Sequence, residues 1–314
     1  MNPSAISATQ SEERFLTIMS KDQTEIYAEA RGDASKPAVV FIHGFSMSLI
    51  VWESIFEDPK WLAQFYLVRY DIRGHGRSGK PTDEASWASE RLAEDFFAVV
   101  EQFNLNKPFV VGWSLGGTYI TDILSVKPAS YLSGIVYINA VPAMGAVVAA
   151  CGTGKYSKFT EDHEMYSFSL KLPYLYVAQV LATLPPLMQF TDVNDYQENA
   201  LKFVSMIAAK MPYHLYLACL GSFIAQPRAS TIAMLSRSND ITGLLKAGRE
   251  ENLPLLVIIS EKDQAINWEG TLNAIEGWKD LKVVRYAEGD HMPWLAYPDS
   301  LRDEISGWVK DRLD

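Results

Sequence analysis

The sequence predicts an α/β fold, a mostly parallel eight-stranded sheet with helices on both faces, interrupted by an inserted helical cap. Three observations predict it. Eight short runs rich in β-branched and aromatic residues recur along the chain: RFLTIMS, EIYAEA, PAVVFI, FYLVRYD, PFVVGW, IVYIN, LPLLVIIS and KVVRYA. From the third run onward most are separated by segments of helical period, the alternation that parallel strands with crossover helices require. Between about residues 140 and 235 the strand signals vanish and aromatic and methionine residues crowd into helical patterns.

The first two runs are separated only by KDQT, so they should form an antiparallel hairpin at one edge of the sheet. The fifth run leads through Gly112 into LGGTYITDILSV, where Leu115, Tyr119, Ile120 and Ile123 repeat at helical spacing. The aromatic stretch contains YSFSLKLPYLYVAQVLATLPPLMQF and ALKFVSMIAAKMPYHLYLACLGSF. Pro173, Pro185, Pro186 and Pro212 should divide it into several short helices, because proline lacks the N–H that a helix interior needs. The helix-strand rhythm then returns at ITGLLKAGREENLPLLVIIS. The expected division is a core of residues 11–140 and 236–314 with a helical cap inserted at 141–235.

At 314 residues with 48% hydrophobic composition, the chain can bury a sizeable core. A net charge of −10 argues against nucleic acid, whose phosphates are neutralised by clustered Lys and Arg. No apolar run reaches membrane-spanning length, so no membrane span is expected. The opening MNPSAISATQSEERF lacks the basic and apolar regions of a signal peptide, which gives an intracellular, cytoplasmic expectation. Cys151 and Cys219 lack metal-ligand spacing and read as buried free thiols. TEDHEM gathers carboxylates around His163, but no second histidine stands at ligand spacing, so a solvated segment is the better reading and no metal is expected. Nothing in the sequence speaks to oligomeric state.

Chemistry concentrates at the end of the fifth run. Gly112, Ser114 and Gly116 match G-x-S-x-G, in which a tight strand-to-helix turn lifts the serine hydroxyl clear of the sheet. Serine is a weak nucleophile without a base, and the base needs an acid to fix its tautomer. Of the five histidines, only His291, in YAEGDHMPWLAYP, follows a late strand, at the edge where sites of open sheets form. His43 and His75 read as structural. The acid is expected in SEKDQAI as Asp263, with Glu261 and Asp290 as rivals: Glu261 is nearer the strand end, and Asp290 adjoins the histidine too closely to orient it. The oxyanion donors are expected to be the amides of Leu115, after the serine, and Phe45, in VVFIHGFSMS. Gly44, Trp113, Met292 and Trp294 adjoin these loops and are expected to make the substrate pocket apolar, with Tyr174, Tyr176, Met188, Phe190, Tyr213 and Tyr216 contributed by the cap.

FIHGF, YDIRGHGRSGKP, VVGWSLGG, SEKDQAI and GDHMPW together resemble the blocks of the α/β-hydrolase superfamily in their usual order, across nearly all of the chain outside the cap. Within RGHGRS, Asp71 and Arg73 are expected to brace a loop. Members that open epoxides or displace halide carry aspartate where this chain has Ser114, which disfavours that chemistry. Some members place the acid after the sixth strand, where this chain has Asn139, leaving Asp263 as the carboxylate. The resemblance implies a cofactor-free serine esterase acting on a small-molecule ester or lactone through an acyl-enzyme. The same machinery also serves thioesterases, C–C bond hydrolases and haloperoxidase-like perhydrolases. A small-ligand receptor and a cyanohydrin lyase are readings of other classes.

Overall fold

Strands β1 (Glu12–Met19), β2 (Glu25–Gly32), β3 (Ala38–Ile42), β4 (Tyr66–Tyr70), β5 (Phe109–Trp113), β6 (Gly134–Ile138), β7 (Leu255–Ser260) and β8 (Leu281–Tyr286) form one sheet. Its order is β1-β2-β4-β3-β5-β6-β7-β8. The computed structural model describes residues 12–145, 147, 200, 201, 203–207 and 210–313. The expected hairpin is present: β1 and β2 pair antiparallel, with Glu12 opposite Gly32 and Met19 opposite Glu25. The pairing of β2 with β4 is also antiparallel. All later pairings are parallel, so β3, β5, β6, β7 and β8 end at the same edge.

Helices longer than one turn include α1 (Ser89–Gln102), α2 (Gly116–Val126), α3 (Tyr213–Ala225), α4 (Arg228–Ser236), α5 (Thr242–Arg249), α6 (Trp268–Ala274) and α7 (Pro298–Lys310), and the described residues 203–207 are also helical. Side chains alternate across each strand, so the two faces build two cores. Val40, Ile42, Val110, Tyr137 and Val257 face one way and pack with Phe96 and Val99 of α1, Ile120 and Ile123 of α2, and Leu244 of α5. Val39, Phe41, Val111, Ile138 and Ile258 face the other way and pack with Leu301, Ile305 and Trp308 of α7. Burial on both faces is why these strands read as continuous apolar runs.

Between β6 and β7 the described residues contain α3, α4 and α5 and no strand. Pro212 and Pro227 immediately precede α3 and α4. Leu215, Cys219 and Phe223 of α3 recur at i, i+4 and i+8 and enter the second core. Cys219 is a buried free thiol, its pKa pushed up to about 12 by desolvation, which keeps it protonated and unreactive. Cys151, His163, Tyr174, Tyr176, Met188 and Phe190 lie outside the described residues. Tyr213, expected to face the cleft, is 76% exposed, because the inward stripe of α3 runs through Leu215, Cys219 and Phe223 and leaves residue 213 on the opposite side. No helix among the described residues is long and apolar enough to cross a membrane.

Candidate active site

The end of β5 is where the backbone is forced. Ser114 has φ +54°, a left-handed conformation costing a non-glycine residue on the order of 1 kcal/mol. The turn is held by three backbone bonds: Ser114 N–H donates to Ile138 O at 3.2 Å, and Ser114 O accepts from Gly117 N–H at 3.2 Å and from Val141 N–H at 2.9 Å. Gly116 is required by close approach, since a Cβ there would lie 2.5 Å from Ile42 O. Gly44 has the same constraint, its virtual Cβ falling 2.9 Å from the Ser114 Cβ. The loop after β3 therefore passes directly against the serine.

Two further loops arrive from β7 and β8. His291 Nδ1 and Asp263 Oδ2 are 2.7 Å apart, with the residues 2% and 6% exposed. An ionised carboxylate only accepts, so Nδ1 carries the proton and Nε2 presents a lone pair. The other oxygen, Asp263 Oδ1, accepts from Ala265 N–H at 2.7 Å and Ile266 N–H at 3.1 Å. The rivals are engaged elsewhere: Glu261 reaches Arg285 at 3.9 Å, and Asp290 Oδ1 accepts from Met292 N–H at 3.0 Å. Ser114 is 9% exposed and follows Trp113, whose ring lies 5.0 Å from that of His291.

The loop bearing His291 is fastened by residues whose contribution was not legible from the sequence. Asn139, with φ +44°, donates from Nδ2 to Ser260 Oγ at 3.0 Å and to the carbonyls of Asp290 and His291 at 3.1 and 3.3 Å. Its Oδ1 accepts from Ser260 N–H at 2.8 Å. One amide side chain thus ties the ends of β6 and β7 to the histidine loop, using both its donor and acceptor functions. Trp113 Nε1 also donates to His291 O, at 2.8 Å.

Trp113, Met292 and Trp294, expected in the pocket lining, are fully buried and pack in the second core. Trp294 stands edge-on to Trp113 at 5.2 Å and beside Trp52 at 4.6 Å, and its indole N–H donates to Val51 O at 3.0 Å. These rings form a floor beneath the loops; packing them there buries large apolar surfaces, and the indole N–H groups of Trp113 and Trp294 each find a carbonyl. Phe45, by contrast, is only partly buried and meets Phe203 edge-on at 5.9 Å.

Among the described residues, no hydrogen bond uses the amide of Phe45 or of Leu115. Leu115 sits at the N-terminus of α2, where the helix dipole favours negative charge. His43 fixes the loop before Phe45, with Nδ1 bonded to Gly44 O at 2.8 Å and Nε2 accepting from Ile72 N–H at 3.1 Å. Desolvation holds the His43 pKa well below the usual histidine value, so it is a neutral brace.

Asp71 and Arg73 brace the neighbouring loop. Asp71 accepts from Leu49 N–H at 2.7 Å and Arg77 N–H at 2.8 Å. Arg73 is fully buried and forks onto Asp95 at 2.7 and 2.6 Å, while its remaining donors reach Asp22, Ser86 O and Arg91 O. Among the described residues, no group of three or more His, Cys, Asp or Glu is arranged to hold a metal.

A strained serine at the end of β5, the loops after β3, β6, β7 and β8 gathered at that same edge, and the surrounding sheet define a class of protein. The chain belongs to the alpha/beta hydrolase fold family, whose model matches residues 37–295. It is 34% identical over 101 residues to the probable oxidoreductase EphD of Mycobacterium bovis, a match covering 32% of this chain and 16% of that protein. It is also 34% identical over 116 residues to the pimeloyl-[acyl-carrier protein] methyl ester esterase of Edwardsiella ictaluri, covering 37% of this chain and 41% of that protein. The chain thus spans less than half the length of these curated relatives. The crystal structure of an esterase from Rhodococcus sp. ECU1013 superposes with a TM-score of 0.78 at 20% identity, covering 94% of this chain and 98% of that one.

Proposed function

We propose that the protein is a carboxylic ester hydrolase that works through an acyl-enzyme on Ser114. The observation that carries this reading is the buried 2.7 Å contact between His291 Nδ1 and Asp263, which fixes the tautomer that leaves Nε2 as a base. Ser114 Oγ attacks the acyl carbon as His291 Nε2 takes its proton, and Asp263 stabilises the resulting imidazolium. The proton then passes to the departing alcohol. Water, deprotonated by the same nitrogen, attacks the acyl-enzyme and releases the acid. The amides of Phe45 and Leu115 hold the oxyanion in both steps, each donor contributing on the order of 3 kcal/mol to the transition state.

The substrate class is a small, largely uncharged ester or lactone with an apolar acyl part. Phe45 supplies an aromatic wall from the sheet side, and Gly44 leaves room beside the serine. We assign residues 141–235 to a cap over this opening, supported by α3 and α4 lying between β6 and β7. Charge supports an uncharged substrate: the buried arginines among the described residues, Arg69, Arg73, Arg237 and Arg302, are all paired with carboxylates, leaving no buried clamp for an anion.

The test is a p-nitrophenyl ester series from acetate to dodecanoate, run beside a hemisuccinate ester. Each buried methylene adds about 0.8 kcal/mol, so kcat/KM should climb threefold to fourfold per carbon until the pocket fills at short to medium length. Preference for the charged ester, or activity rising to the longest chain, contradicts the proposed pocket.

A further inference from the structure

The segment that follows Phe45 is tied to α3 by side chains that no step of the proposed chemistry uses. Ser46 has φ +54°, so the turn after the second oxyanion donor is itself strained. Its Oγ donates to Gln226 Oε1 at 2.5 Å, and Gln226 Nε2 lies 3.0 Å from His75 Nε2. His75 Nδ1 in turn bonds to Arg73 O at 3.0 Å. The three side chains are all at least nine-tenths buried. Only one assignment satisfies every partner: His75 donates from Nδ1 and accepts at Nε2, Gln226 donates its amide N–H there, and the Gln226 carbonyl accepts the Ser46 hydroxyl.

Gln226 is the residue that ends α3, and that helix makes a second contact one turn earlier. Ser222 Oγ is 2.8 Å from Ser48 Oγ. Phe203, which meets the Phe45 ring, also packs on Phe223 of α3 at 5.3 Å. Residues 222 and 226 stand at i and i+4, on one face of the helix turned toward the loop of residues 45–48.

We propose that Gln226 is a positioning residue for the oxyanion hole: by holding Ser46 against buried His75, it fixes the direction of the Phe45 amide and makes that donor depend on the seating of α3. This rests on the ester hydrolase reading, in which the Phe45 amide receives the oxyanion. A hydrogen-bonded side-chain chain of this kind has a definite geometric effect. Without its acceptor the Ser46 hydroxyl loses its buried partner, and the left-handed turn relaxes toward a conformation that rotates the neighbouring peptide. A donor aimed at the oxyanion matters in the transition state and little in the ground state, so its misplacement lowers kcat and spares KM.

The test uses Gln226→Met, which keeps the side-chain volume and removes both hydrogen bonds, Ser46→Ala, and the double variant. The full-length proteins are assayed with p-nitrophenyl butyrate and with a trifluoromethyl ketone that forms a tetrahedral adduct on the serine. Each single variant should lose at least tenfold in kcat with KM changed less than twofold, and should lose ketone affinity by the same factor as kcat. Because both act through one hydrogen bond, the double variant should be no slower than the slower single variant. Unchanged kcat in either soluble single variant, a loss confined to KM, or losses that multiply in the double variant overturn the positioning role. If Gln226→Met fails to fold, Ser46→Ala carries the same test alone through its kcat and ketone affinity. A wild-type protein with neither ester turnover nor a ketone adduct overturns the hydrolase reading, and this inference with it. An active wild type with indifferent variants removes this inference alone.

Discussion

At the residue scale, the state of the imidazole is set by the carboxylate that faces it. Four acidic side chains closely follow the β7 and β8 ends, Glu261, Asp263, Glu288 and Asp290, and it is Asp263 whose carboxylate stands 2.7 Å from His291 Nδ1. Asp263→Asn should lower kcat for a short ester by about 10⁴, since the amide favours the wrong tautomer. Glu261→Gln, which changes an exposed surface pair at 3.9 Å, should stay within a few-fold of wild type, and Asp290→Asn should cost less than Asp263→Asn. Steady-state kinetics on the three purified variants checks the ranking, and a larger loss in Asp290→Asn contradicts the assignment. Ser114, Asp263 and His291 stood out in the sequence as candidates because each is a reactive type near a strand end, and the structure brings Asp263 to within 2.7 Å of His291. Asn139, Ser46 and Gln226 could not, because amides and hydroxyls are common and their partners lie 121, 180 and 151 positions away in the chain. The packing of Trp113 and Trp294 was not legible either, because proximity in sequence to the reacting residues does not say how a ring is buried.

At the scale of elements, the loop between β4 and α1 behaves as a structural unit built on Arg73. All its N–H donors are used, and the charge of the guanidinium, which burial disfavours, is balanced by Asp95 and Asp22. Arg73→Met would leave Asp95, itself raised in pKa by burial, without its counter-charge. Breaking one side of a buried ion pair typically costs about 3–5 kcal/mol, so urea unfolding should show a loss of that size. A loss under about 1 kcal/mol would show that the pair is dispensable, as exposed pairs usually are. The inner strands β3, β5, β6 and β7 were legible because burial on both faces writes them as near-continuous apolar runs, whereas the exposed edge strands β1 and β8 were legible only from their β-branched and aromatic residues. The hairpin followed from its short connection. The antiparallel pairing of β2 with β4 was not legible, since it brings together strands separated by β3 in the chain.

At the scale of the whole molecule, the buried histidines link stability to acidity. Burial depresses the pKa of His43 well below the usual value and that of His75 to about 4. Their rings meet edge-on at 5.0 Å, so protonating one further disfavours protonating the other. On unfolding each regains an ordinary value near 6.5 and binds a proton that the native state does not hold. Their stability contribution is therefore complete above about pH 6.5 and is lost as pH falls toward 4. Each histidine contributes a slope of up to about 1.4 kcal/mol per pH unit in that window. Asp71 and Asp95, raised by burial, oppose the trend only nearer the carboxylate range. Urea unfolding from pH 7.5 to 5 should show falling stability, with a shallower slope in His75→Gln. A flat profile, or an unchanged slope in the variant, would contradict the buried neutral pair.

The central claim, a nucleophilic Ser114 served by His291, is tested most directly by covalent labelling. A fluorophosphonate reacts with a serine only where a base activates it and an oxyanion hole receives the adduct. Intact mass should rise by one phosphonyl group per chain, peptide mapping should place it on Ser114, and Ser114→Ala should remain unlabelled and lose on the order of 10⁴ to 10⁶ of ester turnover. Labelling elsewhere, or turnover that survives in the purified Ser114→Ala protein, would contradict the account.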